Sequence, residues 1–317
     1  MRLGVFNNIL AGGGGTHASD VIAFLGGRSD IAHVETDFSG VREGLAELAA
    51  REVDVLVVNG GDGTLQRVLT EIHRHRVFAR APMIAPLRSG RTNMNALDIG
   101  SRRNPVKALV TLMAAAADGS LARRIVERPV MRIDLGDDAG PQYGMFCGFG
   151  TVHRAIELTH RVFPKGRAQG VFGAGIVTGL LMTRAALGSA RDVLTPDAID
   201  IRLEGEPVHE REFKLVIATT LDRFFLGMRP FWGTEPAPIR FTALSRDAMR
   251  FATSVDVIRG RRPRAADRNG FCVSRNVHSS ELRLDCGVTI DGEMHAPRPG
   301  RDIRIDAEHS ISFVRSD

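Results

Sequence analysis

The sequence of 317 residues predicts an α/β fold: an N-terminal domain with a parallel sheet, then a C-terminal antiparallel β-sandwich domain. Up to about residue 120, short β-branched and apolar runs alternate with segments of helical periodicity, which is typical of βαβ units. From about residue 123, strand-like segments follow one another with turns between them, which indicates antiparallel pairing. The last strand-like segments are expected to return to the first domain. The predicted domains are therefore 1–122 with about 300–317, and 123–299.

The elements follow from these patterns in chain order. In the first domain, strands are predicted at residues 2–6, 31–36, 53–58 and 82–87, and helices near 18–26, 40–51, 64–75 and 104–117. In the second domain, strands are predicted within 127–137, 141–150, 198–205, 209–220 and 238–244, and a buried apolar helix at 169–187. Parallel α/β sheets bind ligands at the carboxyl ends of their strands, so the loops at those ends are the candidate site.

Residues 55–64, with the sequence VLVVNGGDGT, combine a buried strand, a tight glycine turn and a helix start. The helix is indicated by an apolar period of 3.6 residues that begins at Leu65. Unpaired backbone N–H groups and the helix dipole stabilise an anion such as phosphate at this kind of turn. Asp62 is a candidate metal ligand, and Thr64 is a candidate helix cap or phosphate donor.

The string GGDGT is found in the diacylglycerol kinase catalytic-domain family and in the related NAD kinases, and the chain resembles the lipid kinases over nearly its full length. Residues 5–15 (VFNNILAGGGG) are similar to the family's first strand and glycine-rich turn, although Asn8 stands in place of a proline. Residues 85–100 (APLRSGRTNMNALDIG) resemble its Pro-Leu-Gly-Thr-x-Asn-Asp segment. Residues 288–295 (VTIDGEMH) carry its late Asp-Gly-Glu.

The resemblance implies a kinase that uses ATP and Mg²⁺. It places the nucleotide near the glycine turn at 12–15 and against Asn8, Thr36, Gly60, Gly61, Asp62, Gly63, Thr64, Ser89, Gly90 and Asn93. It also assigns the metal ion to Asp62 and the general base to Asp291, with Glu293 beside that base. Without the upstream motifs, Asp-Gly-Glu would be interpreted as an ordinary hairpin turn.

Three positions depart from the family pattern. In the family, an acid follows the asparagine that corresponds to Asn93, and Met94 stands in its place here. Arg91 stands where a threonine is usual. His153 lies near the position of an expected aspartate in the second domain, and an isolated histidine there is interpreted as structural. Because a thioether cannot replace a carboxylate on magnesium, part of the usual metal network is absent at Met94.

The amino-acid composition limits the kinds of partner that the chain is expected to bind. The net charge of +5 and the pI near 9.7 come almost wholly from arginine, which suits phosphorylated ligands or an anionic membrane surface. No nucleic-acid-binding module is recognisable, so no nucleic-acid partner is expected. Three cysteines without paired spacing indicate reduced, structural thiols. With no apolar run long enough to span a bilayer and no signal peptide, we expect a cytoplasmic protein associated with the inner face of the membrane.

We therefore predict a peripheral lipid kinase that transfers the γ-phosphate of ATP to a hydroxyl of a membrane lipid, of the diacylglycerol, ceramide or sphingoid type. The alternatives are a soluble NAD kinase-like enzyme and a catalytically impaired lipid-binding regulator. Residues 221–233 (LDRFFLGMRPFWG) are a candidate membrane-docking segment, with packing in the core of the second domain as the alternative. The sequence does not indicate an oligomeric state.

Overall fold

The computed structural model describes residues 1–11, 16–162, 195–224, 227–245, 256–263, 272–298 and 300–317. The described residues fall into two compact units. The N-terminal unit comprises residues 1–128 with 310–317, and the C-terminal unit comprises residues 129–309. The predicted apolar helix at 169–187 and the glycine turn at 12–15 lie outside the described residues.

Strands and helices alternate in the N-terminal unit. They are β1 (Leu3–Asn8), α1 (Thr16–Leu25), β2 (Ala32–Thr36), α2 (Val41–Ala50), β3 (Val55–Asn59), α3 (Asp62–His75), β4 (Met83–Pro86), α4 (Met94–Ile99) and α5 (Pro105–Ala117). β1 pairs in parallel with both β2 and β3, and β3 pairs in parallel with β4. The parallel sheet predicted from the alternating pattern is thereby confirmed.

The remaining elements follow from residue 125 onward. They are β5 (Ile125–Asp134), β6 (Gln142–Gly144), β7 (Phe146–Gly150), α6 (Thr151–Val162), β8 (Asp197–Leu203), β9 (Glu206–Pro207), β10 (Glu212–Thr219), β11 (Ile239–Ser245), β12 (Cys272–Val277), β13 (Ser279–Leu284), β14 (Val288–Ile290), β15 (Glu293–His295) and β16 (Asp302–Val314). Two closing strands were expected, but β16 is one continuous strand. Its first half pairs with β13, and Phe313 pairs in parallel with Ile84 of β4.

The C-terminal unit is antiparallel, as the sequence predicts. Its strands lie in the order β15-β14-β7-β10-β8-β13-β16, and β11 and β12 extend from β10. Their inward faces form one apolar core that includes the fully buried side chains of Phe149, Phe213 and Phe241. Burial of such rings contributes about 1.5–3 kcal/mol each to the stability of the unit.

Helix α3 begins two residues earlier than predicted, at Asp62, and Gly61 is its N-cap residue. Thr64 therefore lies within the first turn, and the expectation that it caps the helix is wrong. The predicted apolar face is confirmed, since Leu65 and Val68 are buried in the core. Helix α4 was not predicted, because its six residues are too few to display a helical period.

The described aromatic side chains of the segment 221–233 pack inside the C-terminal unit. Phe224 is buried and makes edge contacts with Phe146 at 5.2 Å and with Phe231 at 6.1 Å between ring centroids. Trp232 packs against the core cluster around Leu244. These contacts agree with the alternative that the rings pack in the core of the second domain. Membrane docking by the segment stays a prediction. Among the described helices, none has the length and apolar character needed to cross a bilayer.

The three cysteines are unpaired and at least partly buried. Burial raises the pKa of Cys272 and of Cys286 to about 11, and raises the pKa of Cys147 well above its usual value. At pH 8 a thiol of pKa 11 is ionised to about one part in a thousand, against roughly a quarter for an ordinary cysteine.

We expect the native protein to react with a thiol reagent at pH 8 about two orders of magnitude more slowly than a cysteine peptide does. Timed alkylation followed by mass spectrometry measures this, with the unfolded chain as the control in which all three thiols react. A native cysteine that reacts at the peptide's rate would contradict the assigned burial.

Candidate functional site

The candidate site of the N-terminal unit lies at the carboxyl ends of neighbouring parallel strands. The strand order is β2-β1-β3-β4, so the chain leaves β1 and β3 toward opposite sides of the sheet. Loops diverge at such a switch point and leave a crevice in which α/β sheets bind ligands. Asn8 ends β1, Thr36 ends β2, and Gly60 follows β3.

Asparagine side chains link the loops at this crevice. Asn59 Nδ2 donates to Asn7 Oδ1 at 2.8 Å, and both side chains are fully buried. Asn8 Nδ2 donates to Thr64 Oγ1 at 2.7 Å, which ties the end of β1 to the first turn of α3. A Cβ on Gly60 would lie 2.5 Å from Thr64 Cβ, so only glycine fits before this turn. The structure thus brings together Asn8, Gly60 and Thr64.

A second turn, at residues 88–93, meets the GGDGT turn. Gly90 and Gly61 are in backbone contact, and a Cβ on Gly90 would lie 2.3 Å from Gly61 Cα. Asn93 has a left-handed backbone, with φ of 51°, and its side chain accepts from Gly90 N at 2.7 Å and donates to Gly90 O at 2.8 Å. Asparagine tolerates this conformation better than most residues. The predicted residues Gly61, Gly90 and Asn93 therefore form one rigid pair of turns.

Asp62 joins the two turns through its carboxylate. Oδ2 accepts hydrogen bonds from Thr92 Oγ1 at 2.8 Å and from Met94 N at 3.0 Å, and Oδ1 accepts from Asn95 N at 2.9 Å. The Met94 and Asn95 amides belong to the first turn of α4, where a carboxylate is favourable. Burial raises the pKa of Asp62, and the hydrogen bonds to the Asn95, Met94 and Thr92 donors act in the opposite direction.

These contacts do not fit the expected role of Asp62 as a magnesium ligand. Its two oxygens already accept three protein hydrogen bonds, which leaves at most one of about four lone-pair sites for a metal ion. The neighbouring Met94 offers a thioether rather than a carboxylate. Magnesium prefers hard oxygen ligands in octahedral geometry. In the part of the chain that the structure describes, no group of three or more His, Cys, Asp or Glu side chains is arranged to hold a metal ion.

The other predicted residues of the unit line the same region with fewer contacts. Thr36 is half-buried, its carbonyl accepts from Ile9 N at 3.0 Å, and its hydroxyl donates to Asp37 O at 3.3 Å. Ser89 is 2% exposed, and its hydroxyl has no hydrogen-bond partner. Gly63 lies in the first turn of α3. A small pocket opens between the two turns, with apolar walls from Val58, Leu65 and Pro86.

Asp291 lies in the C-terminal unit, at the turn between β14 and β15. It is 3% exposed and has a left-handed backbone, with φ of 47°. Its carboxylate accepts from Met145 N at 2.9 Å and from Phe146 N at 3.1 Å, while its own N–H donates to Phe146 O. Glu293, the first residue of β15, is exposed. Asp291 is thus held by the backbone of β7 and of the residue before it.

His153, at the position of an expected family acid, has a packing role. Its Nδ1 is hydrogen-bonded with Val288 O at 3.2 Å, and a Cβ on Gly287 would lie 2.3 Å from its Nε2. The imidazole therefore fills the space over a glycine, which agrees with the structural interpretation. Sequence reasoning did not single out Thr92 and Asn59, although they lie within the motifs at 85–100 and 55–64 and carry hydrogen-bonding side chains.

We expect Gly90→Ala to force the two turns apart, because a methyl group at 2.3 Å from Gly61 Cα cannot be accommodated without a backbone shift. The melting temperature should fall by several degrees, and nucleotide binding should be lost. Gly26→Ala is the matched control, since a Cβ there meets only the Ala23 and Ile22 carbonyl oxygens, at 3.3 Å and 3.7 Å. Equal melting temperatures for the two variants would contradict the close approach of the turns.

Comparisons with known proteins agree with this architecture. Residues 2–120 match the family model of the diacylglycerol kinase catalytic domain. A solved diacylglycerol kinase structure from Bacillus anthracis str. Sterne superposes with a TM-score of 0.64 at 14% identity, covering 99% of this chain and 96% of that one. Another structure from the same organism, provisionally assigned as a diacylglycerol kinase, gives a TM-score of 0.67 at 15% identity with the same coverage. No curated protein matches the chain. The chain shares the fold of these structures.

Proposed function

We propose that this protein is a lipid kinase that transfers the γ-phosphate of ATP to a hydroxyl group of a membrane lipid. The family match supports a phosphotransferase. The observation that carries the proposal is the pair of turns that Asp62 joins at the carboxyl ends of the parallel strands. The ATP and lipid specificities are inferences from the resemblance to the lipid kinases.

Several features of the paired turns support nucleotide binding. The N-cap residue of α3 is Gly61, which has no side chain to accept from the first N–H groups of the helix. Such groups stabilise phosphate oxygens, and a glycine allows them to approach the main chain. The hydrogen bonds of Asn8 and Asn93 fix this geometry before a ligand arrives.

Asp291 is the proposed general base for the lipid hydroxyl, with Glu293 beside it. Two backbone amides donate to its carboxylate and fix its orientation. A fixed carboxylate can accept the hydroxyl proton while the oxygen attacks phosphorus, and it also fixes the direction of attack. The proposed peripheral contact with an anionic membrane surface would supply the lipid, and the net charge of +5 favours that contact.

The first test is an assay of the full chain with radiolabelled ATP against diacylglycerol, ceramide, a sphingoid base and NAD. We expect labelled phosphate in a lipid product and none in NAD. Labelling of NAD alone would indicate a soluble NAD kinase-like enzyme. Lipid binding to vesicles without turnover on any acceptor would indicate a non-catalytic regulator, and either result would contradict the proposal.

The second test is Asp291→Asn, which keeps the shape of the side chain and removes its basicity. We expect kcat for the lipid to fall by about 100-fold or more, while ATP affinity changes little. The NH₂ group of the new asparagine is a donor and faces a backbone N–H, which is also a donor. One hydrogen bond is therefore lost, and the free energy of unfolding should fall by about 1–3 kcal/mol.

Thr219→Val is the control for that structural effect. The Thr219 hydroxyl donates to Met145 O at 2.8 Å, so this variant disturbs the same backbone without removing a carboxylate. We expect Thr219→Val to lose stability and retain most of its turnover. A folded Asp291→Asn variant with near-normal kcat would exclude Asp291 as the base, and so would an equal loss of kcat in Thr219→Val.

A further inference from the structure

Three arginines adjoin the paired turns without any partner among the described residues. Arg88 and Arg91 belong to the turn at 88–93, and Arg103 lies between α4 and α5. In the described part of the chain, none of the three makes a hydrogen bond or an ion pair. Arg88 is the most enclosed of them, since it is half-buried and its Nε atom is fully shielded from solvent.

Other arginines of the same unit have buried carboxylate partners. Arg42 Nε lies 2.9 Å from the buried Glu71 carboxylate, and Arg128 forms an ion pair with the buried Asp98. Arg88 differs because Asp62, the acid whose charge acts on it, already accepts three hydrogen bonds from other groups. Burial is the main cause that lowers the pKa of Arg88, followed by the like charge of Arg103, while the charge of Asp62 opposes both.

Ser89 adds a second unpartnered donor next to Arg88. Its hydroxyl is buried and unpaired, although a buried polar group without a partner costs about 1–3 kcal/mol. A buried guanidinium N–H and an adjacent buried hydroxyl together suit a ligand with several strong acceptor oxygens. Phosphate is such a ligand, and arginine binds it through two parallel hydrogen bonds.

We propose that Arg88 and Ser89, assisted by Arg91, bind the phosphates of the nucleotide directly. The guanidinium groups thereby supply the positive charge that the family resemblance would assign to a magnesium ion on Asp62. This inference rests on the proposed nucleotide site. It assigns Asp62 the role of a clamp between the turns and assigns recognition of the phosphates to arginine.

The test is calorimetric titration of the full chain with ATP, ADP and adenosine, each in magnesium and in EDTA. For the wild type, we expect ATP affinity to differ by less than about threefold between the two conditions. Arg88→Gln should weaken ATP binding at least tenfold and leave adenosine binding unchanged, because charge-assisted hydrogen bonds are lost only to phosphate. Arg88→Lys should recover only part of the affinity, since an ammonium group lacks the planar fork.

Arg80→Gln is the matched control, because Arg80 is exposed, has no ion pair among the described residues and lies outside the paired turns. Melting curves separate a ligand role from a structural one. Without nucleotide, Arg88→Gln should melt at or above the wild-type temperature, since it removes an unpaired buried donor. With ATP, its melting temperature should rise less than that of the wild type.

Two results would overturn this inference while leaving the kinase proposal in place. One is ATP affinity in Arg88→Gln equal to that in Arg80→Gln. The other is a wild-type ATP affinity that is more than tenfold weaker in EDTA than in magnesium, together with an Asp62→Asn variant whose ATP affinity is the same in both. That pair of results would place a metal ion on Asp62. Failure of the wild type to bind any nucleotide would overturn both this inference and the proposed function.

Discussion

The carboxylate of Asp62 is the contact on which the N-terminal site depends. It is the first side chain of α3, and it accepts from Thr92, Met94 and Asn95 in the turn that follows β4. One buried group therefore fixes the distance between two loops that lie about 30 residues apart in the chain. Hydrogen bonds to a charged acceptor contribute about 1.5–3 kcal/mol each, which outweighs the cost of ordering a short glycine turn. This clamp holds the turns at the separation at which Gly61 and Gly90 are in contact.

The C-terminal unit uses the same device at Asp291. There, too, a buried carboxylate next to a glycine accepts from two successive backbone amides, those of Met145 and Phe146. In both acids, backbone amides supply two of the hydrogen bonds that orient the carboxylate. A carboxylate held in this way keeps its direction when neighbouring side chains change. The surroundings of the two aspartates differ: Asp62 receives a third hydrogen bond from the Thr92 hydroxyl, whereas Asp291 is flanked by the exposed Glu293.

Most of the N-terminal fold could be predicted because the apolar period of α3 and the β-branched run of β3 are strong local patterns. The start of α3 was misplaced since a glycine N-cap carries no side-chain signal. Helix α4 was missed because it is short and begins after a residue with positive φ, a conformation that the sequence does not specify. The role of Asp62 could not be predicted for a further reason. Two of its three partners are backbone amides, and residue types do not identify which amides a fold will turn toward an acid.

The departures from the family pattern at positions 91 and 94 both make the local electrostatic potential more positive. Met94 removes a negative charge that the family resemblance would place at the start of α4, and Arg91 adds a positive charge three residues earlier. Together with Arg88 and Arg103, they make the potential at the paired turns more favourable to an anion and less favourable to a cation. The half-buried Arg91 and the exposed Arg103 act partly through water and are screened by salt, whereas the shielded Nε of Arg88 is screened less. High salt should therefore weaken the long-range attraction between the nucleotide and the arginines more than it weakens the direct contact between Arg88 and the phosphates.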